Sequence, residues 1–265
     1  MEEVQSAPSA PSSSFATTTT SKYDELIDIP VTTKIIEQLI SLFNYFDIYA
    51  PRMQVLHDIV TIFRFFQLVG GAFMAANLNS FAPGTFTFNV MSVITVFFHL
   101  VPLQYRRNKA YIVLSVVNSI LIVFAIYLVV TAYLYKKTSK VPDISTKILS
   151  IFMAIGPNLL VPISAQFSAQ ILSGNIVSTV PIDFRNIYSV TTSFLVMIVW
   201  TWIIVKAYSK ALVFRPTSFA SIEGSPQVKL LITTTFVTFA SFLTSWFGST
   251  ASAIVLQLYL IVAHL

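Results

Sequence analysis

Amide side chains and prolines recur within an otherwise apolar stretch at residues 156–172, GPNLLVPISAQFSAQIL. Four of them are spaced by four positions: Asn158, Pro162, Gln166 and Gln170. A further proline, Pro157, directly precedes Asn158. On a helix the four form one gently drifting stripe, while each proline removes a backbone donor and bends the axis. We interpret the five residues as lining a polar cavity or forming a hinge. The alternative, which we favour, is that amides and serines bond neighbouring helices, at about 0.6 to 2 kcal/mol each, and that the prolines only shape the bundle.

Arg64 is the only Lys or Arg in the interior of a predicted membrane span. A charge inside a bilayer indicates a functional site by default, because burying it in lipid is costly. However, His57 and Asp58 lie about two helical turns away and mark a polar edge, so the long side chain can reach that edge by snorkelling. Both interpretations stay open, and the second is favoured.

A stripe of small residues follows near the C-terminus. Its members are again spaced by four: Ala240, Thr244, Gly248 and Ser252. Small side chains at this spacing allow two helix backbones to approach closely, which predicts a packing seam inside the bundle or at a dimer interface. The partners that we predict are therefore the lipid bilayer and other membrane helices, including those of a second copy of the chain. The sequence specifies no small-molecule ligand.

Motifs for catalysis are missing from the sequence. No Asp or Glu lies in the middle of a predicted span, there is no cysteine, and the three histidines are far apart: His57, His99 and His264. The sequence contains no phosphate-binding loop, HExxH or GxSxG pattern. We predict no enzymatic activity, no cofactor, no metal site and no proton- or sodium-coupled transport.

Composition places the chain in a membrane. Hydrophobic residues make up 55% of its 265 residues and charged residues 10%, whereas soluble domains average roughly a quarter charged. Eight of the eleven acidic residues lie within the first 58 positions. Lys and Arg stand in short clusters between long apolar runs, a pattern typical of juxtamembrane loops and not of nucleic-acid binding.

Apolar runs of spanning length predict an all-α, polytopic transmembrane helical bundle, since about 20 residues cross a hydrocarbon core of ~30 Å. We assign six spans, at about 58–80, 85–104, 110–135, 147–172, 187–205 and 229–248. Residues 250–265 form either a partial seventh span or a long extension of the sixth. Residues 1–30 are predicted to be a disordered Ser/Thr/Pro-rich tail, residues 31–50 an amphipathic interfacial helix and residues 51–265 the transmembrane domain. The alternative for 31–50 is a helix packed on a neighbouring loop.

The positive-inside rule does not orient these spans, because Lys and Arg are divided almost equally between the two sides. We place the N-terminus in the cytoplasm, since an acidic segment of this length without a signal-peptide pattern is awkward to translocate. The identity of the membrane is not specified by the sequence.

Three features resemble the multi-pass membrane regions that open receptor-type, nucleotide-cyclase-bearing proteins of protists. They are the Ser/Thr tail running into SKYDELIDIP, the aromatic-rich FDIYAPRMQVLHDIVTIFRFFQLVGGAFMAANLNSF and the Phe-rich helices that follow. The resemblance covers the membrane part and implies a sensor or anchor without its output domain. We therefore expect a signalling or anchoring membrane domain. The alternative is a passive channel or facilitator, with Asn158, Gln166 and Gln170 lining its pore.

Overall fold

The computed structural model describes residues 30–51, 53–74, 84–101, 109–177, 183–211 and 224–247. Within these ranges the chain is all helical, as predicted. Nine α-helices run in the order α1 Val31–Tyr49, α2 Gln54–Met74, α3 Phe86–His99, α4 Ala110–Thr138, α5 Asp143–Ile155, α6 Val161–Val177, α7 Phe184–Ile203, α8 Ser209–Ala211 and α9 Gly224–Phe247. Two π-helical segments, π1 Gly156–Leu160 and π2 Ile204–Tyr208, join α5 to α6 and α7 to α8. The predicted tail, except its last residue, Pro30, and the predicted partial seventh span lie outside the described residues.

The chain divides into two units, residues Met1–Lys34 and Ile35–Leu265. In the first, the described residues 30–34 begin α1, where the carbonyl of Pro30 accepts hydrogen bonds from the N–H groups of Thr33 and Lys34. In the second unit, the rest of α1 buries one apolar face at three- and four-residue spacing: Leu39, Leu42, Phe43 and Phe46. This face contacts protein, since the ring of Phe43 meets that of Tyr208 edge-on at 5.3 Å.

Three helical stretches are long and apolar enough to cross a membrane: Ala110–Thr138, Asp143–Ser173 and Phe184–Ala211. The predicted third, fourth and fifth spans lie within them. A shorter apolar stretch, Val228–Leu243, overlaps the predicted sixth span at 229–248. The fourth span begins earlier than predicted, at Asp143 instead of 147, because the carbonyl of Pro142 already accepts the N–H of Thr146. Helix α3, in the range of the predicted second span, ends at His99 and not at 104, since Leu100 adopts a left-handed conformation with φ of 60°.

The helix formed by α5, π1 and α6 lies at the centre of the bundle. In its most apolar window 72% of the residues are buried, against 28% for Ala110–Thr138 and 44% for Phe184–Ala211. α9 packs chiefly on α6, and α2 contacts α5, π1 and α9. Large apolar side chains of α4 and α7 point outward, among them Val123, Ile126, Leu195 and Ile198. An apolar exterior on helices of this length is suited to lipid and would be a liability in water.

Candidate functional site

The central helix changes its winding where the prolines are. Pro157 lies inside π1 and Pro162 is the second residue of α6. A proline removes one backbone donor and its ring collides with the carbonyl four residues earlier, and a wider π turn is one way to relieve that conflict. Ile155 before the segment and Val161 after it keep right-handed helical torsions. The helix therefore continues through the prolines, and the predicted bend takes the form of a π turn.

Two carbonyls around this turn are bonded by side chains. Asn158 Nδ2 donates to the carbonyl of Ala154 at 2.9 Å, within the same helix. Gln67 Nε2 of α2 donates to the carbonyl of Leu159 at 3.3 Å. In an α-helix, Pro157 and Pro162 would leave without a donor the carbonyls four residues earlier, at 153 and 158. The two carbonyls bonded by side chains lie one residue after these. The turn is thus supported by one amide of its own and one from a neighbouring helix.

Gly156, the first residue of the π turn, occupies a position that has no room for a side chain. A Cβ at this position would collide with the ring of Phe152, which lies one turn earlier. That ring is held in place on its other side, since it stacks on Phe124 with centroids 3.7 Å apart and planes 3° apart. Trp200 of α7 lies 5.7 Å from it. The upstream end of the turn is therefore tightly packed.

A cleft of about 340 Å³ opens beside this packed end. Its walls come from α4, α5 and π1, include Ile120, Ile151 and Leu160, and are entirely apolar. A path for ions or polar solutes needs polar groups along its lining. The walls of this cleft are hydrocarbon side chains instead.

The remaining predicted residues of the stripe lie on α6. Pro162 and Gln166 are buried, the latter with 2% of its surface exposed, and Gln170 is half-buried. Both glutamines have an interaction partner. Asn158 is 8% exposed, so three of these four side chains are enclosed by the protein. Whether they act as hinge or cavity residues stays a prediction.

A network of hydroxyl and amide groups joins α6 to α4 and α7. Ser164 donates to Asn118 Oδ1 at 2.8 Å, while Asn118 Nδ2 donates to the carbonyl of Ser189 at 3.2 Å. The Ser193 hydroxyl bonds to those of Ser164 and Ser168, the latter at 2.6 Å. All five residues are buried. Ser164 and Ser168 are four residues apart in the sequence, beside the amides. Ser189 and Ser193 have the same spacing, but the sequence analysis did not identify them or Asn118.

Arg64 and Gln67 share one face of α2, because they are three residues apart. Arg64 is 3% exposed, so its charged group lies within the protein and does not reach an exposed edge. Tyr208 of π2, also buried, interacts with Arg64 electrostatically. Arg64 Nε and Nη2 and Gln67 Oε1 have no hydrogen-bond partner among the described residues. The Arg64 side chain is therefore buried beside two irregular helix segments with donors unused.

The predicted seam lies partly within the described residues. Ala240 is half-buried on α9, next to the buried Phe242, which packs against Ala169 of α6. Thr244 belongs to the described backbone of α9, whereas Gly248 and Ser252 lie beyond the described residues. The use of all four as a seam stays a prediction.

The described ranges contain no group of three or more His, Asp or Glu side chains that could bind a metal ion. Comparison with known proteins gives no match, whether to a family model, to a curated protein or to a solved structure.

Proposed function

We propose that this chain is a multi-pass integral membrane protein with six spans and a cytoplasmic N-terminus. The described helices α2, α3 and α9 would supply the first, second and sixth spans, beside the three helices of full spanning length. Support comes from the outward-facing apolar side chains on α4 and α7, which suit lipid.

We further propose that it acts as a signalling or anchoring domain without a catalytic module of its own, in keeping with its resemblance to the membrane regions of protist receptor-type proteins. The observation behind this proposal is the π turn that contains Pro157 and is followed by Pro162, in the most buried of the three long helices. Such turns are often found at functional sites, since their bonding pattern can change without breaking the helix. Residues 156–160 would be the hinge, with α5 moving relative to α6.

The alternative function is a passive channel or facilitator. It requires water along the stripe of Asn158, Gln166 and Gln170. The burial of Asn158 and Gln166, and the bond from Asn158 to its own helix, favour the hinge over the pore.

Topology tests the span count first. The chain contains no cysteine, so single cysteines can be placed in exposed connecting residues as Lys109→Cys and Lys140→Cys. Six spans with a cytoplasmic N-terminus put position 140 outside and position 109 inside. In intact cells a membrane-impermeant thiol reagent should label the first variant, and should label the second only after permeabilisation. Labelling of both positions from the same side would rule out a span at 110–138.

Thiol accessibility then separates hinge from pore. Asn158→Cys, Gln166→Cys and Gln170→Cys are treated with a water-soluble thiol reagent, with Phe167→Cys as the matched buried control. The hinge proposal expects the first two to react as slowly as the control. Rapid labelling of positions 158 and 166, with position 167 unreactive, would instead establish a water-lined pore.

Motion at the hinge is measured directly by spin-label distances. One pair of spin labels is placed at Ile148 of α5 and Leu195 of α7, so that it reports on α5, the helix proposed to move. The control pair, at Val123 of α4 and Leu195, contains no position on α5. All three positions are exposed. We expect a broad or two-peaked distance distribution for the first pair and a narrow one for the control. Pro157→Ala, which restores a backbone donor, should narrow the first. A single narrow distribution for both pairs in the unmodified chain contradicts the hinge.

A further inference from the structure

Arg64 presents a problem of charge. A guanidinium taken out of water loses a large hydration energy, which only a well-placed partner can offset. Within the described ranges, neither Nε nor Nη2 has a hydrogen-bond partner. The electrostatic interaction with Tyr208 does not use these two donors in a hydrogen bond. Both donors therefore stay open to an acceptor that the described residues do not supply.

The two unused donors are not a random pair. Nε and Nη2 lie on the same long edge of the guanidinium, and their N–H bonds point outward in parallel. This edge matches two oxygens of a carboxylate or phosphate and gives the bidentate arrangement that makes such pairs strong.

A third open group lies on the same helix face. Gln67 is three residues from Arg64, and its Nε2 is already engaged by the carbonyl of Leu159. That bond fixes the orientation of the amide and leaves Oε1 as an acceptor without a partner in the described part of the chain. An acceptor beside a forked donor suits a ligand that has an oxyanion and a nearby hydroxyl or amine.

We propose that Arg64 binds an oxyanion, a carboxylate or a phosphate, where α2 meets π1 and π2, and that Gln67 Oε1 accepts a hydrogen bond from the same ligand. A small anion from solution and the head group of an acidic lipid or fatty acid share this chemistry. The site goes beyond the proposed hinge, because an anion can bind there whether or not the π turn moves.

Ligand-dependent thermal unfolding tests the site. The chain is placed in phosphatidylcholine nanodiscs and its tryptophan fluorescence is followed on heating. In one arm, sodium phosphate or sodium acetate is compared with sodium chloride at equal ionic strength, which removes the effect of screening. In the other arm, oleate or phosphatidic acid is added to the nanodisc. A ligand that binds the folded state raises the Tm in proportion to the logarithm of its concentration once it exceeds the Kd.

The variants separate the bidentate contact from charge alone. Arg64→Gln should abolish the shift, and Arg64→Lys should weaken binding about 10- to 100-fold, because lysine keeps the charge and loses the fork. Gln67→Leu should weaken binding less than Arg64→Gln. Lys147→Gln removes one exposed positive charge elsewhere and should behave as the unmodified chain. If Arg64→Gln does not fold, the comparison of Arg64→Lys with Lys147→Gln decides.

Each outcome has a meaning. A shift with phosphate or acetate supports a soluble anion, and a shift with oleate or phosphatidic acid alone supports an acidic head group. No shift in the unmodified chain with any of the four overturns the proposal. An equal shift in the unmodified chain and in Arg64→Lys and Arg64→Gln indicates an adventitious ion only and also overturns it. Glu223 lies outside the described residues, and if Glu223→Gln lowers the Tm as much as Arg64→Gln while no anion acts on the unmodified chain, the partner is a carboxylate of the chain itself. Spin-label distances measured in the unmodified chain without added anion test the hinge separately from the anion site.

Discussion

Replacing Asn118 and Ser193 by alanine, singly and together, tests whether the buried hydroxyl network holds three helices as one unit. Asn118 lies on α4 and Ser193 on α7, and both bond to the hydroxyl of Ser164 on α6. In either single variant Ser164 keeps one of these two partners. In the double variant it loses both. The two substitutions should therefore not act independently, although they lie on different helices.

The expected magnitudes follow from the bonds that each side chain makes. Asn118→Ala removes two hydrogen bonds between helices, and at about 0.6 to 1.7 kcal/mol each the free energy of unfolding should fall by about 1–3 kcal/mol. Ser193→Ala leaves Ser164 donating to Asn118 and Ser168 donating to the carbonyl of Ser164, so it should cost about 1 kcal/mol. In the double variant the buried Ser164 hydroxyl also pays for lost hydration, at about 1–3 kcal/mol. The destabilisation of the double variant should therefore exceed the sum of the two single effects by about 1 kcal/mol or more.

The free energy of unfolding is measured in mixed micelles by titration with a denaturing detergent, for the unmodified chain and the three variants. Thr192→Ala is the matched control, because its hydroxyl is adjacent to Ser193 but donates to Tyr188 within its own helix. It should change the free energy by no more than about 0.5 kcal/mol. If the double variant equals the sum of the single ones within about 0.5 kcal/mol, the hydroxyls do not form one network and the reasoning fails.

Two further substitutions test the packing around the π turn, both by the same titration. Gly156→Ala should destabilise the bundle by up to about 2 kcal/mol, because overpacking against Phe152 costs about 1–3 kcal/mol and the gain in helix propensity offsets only about 1 kcal/mol of it. A higher stability would mean that the ring moves freely into the adjacent cleft. Trp200→Phe should lower the free energy of unfolding by about 1–3 kcal/mol, since the indole N–H donates to the carbonyl of Leu121 at 3.1 Å and the ring is almost fully buried. An unchanged free energy of unfolding would show that this bond between α7 and α4 is replaced by another.

Hydropathy in the sequence was enough to locate the three helices that are long and apolar enough to cross a membrane, because this property depends only on length and composition. The runs at 110–135, 147–172 and 187–205 each lie within a helix of the structure. The ends were less predictable. Helix α5 begins four residues earlier than expected because a proline accepts backbone hydrogen bonds as well as any other residue, so Pro142 can precede a helix without a side-chain cap.

Which polar residues meet could not be predicted, since that depends on how the helices rotate against one another. The sequence placed Arg64 near a polar edge at His57 and Asp58. In the structure its side chain is buried instead, where it interacts with Tyr208, a residue 144 positions away. Likewise Asn158 was recognisable as a polar residue between prolines, whereas its bond to the carbonyl of Ala154 follows from the local geometry of the π turn.

The bonds around the central helix suggest which half of it can move. Immediately after Pro162, Ser164 and Ser168 attach α6 to α4 and α7 through several hydrogen bonds. Upstream of the turn, α5 is held chiefly by apolar contacts, such as the stacking of Phe152 on Phe124, which allow sliding more readily than directed bonds do. Between α5 and α6, the carbonyl of Leu159 accepts a hydrogen bond from Gln67, which lies on the same face of α2 as Arg64. An oxyanion that engages both Arg64 and Gln67 would therefore change the support of the turn, so that we expect α5, and not α6, to respond to its binding.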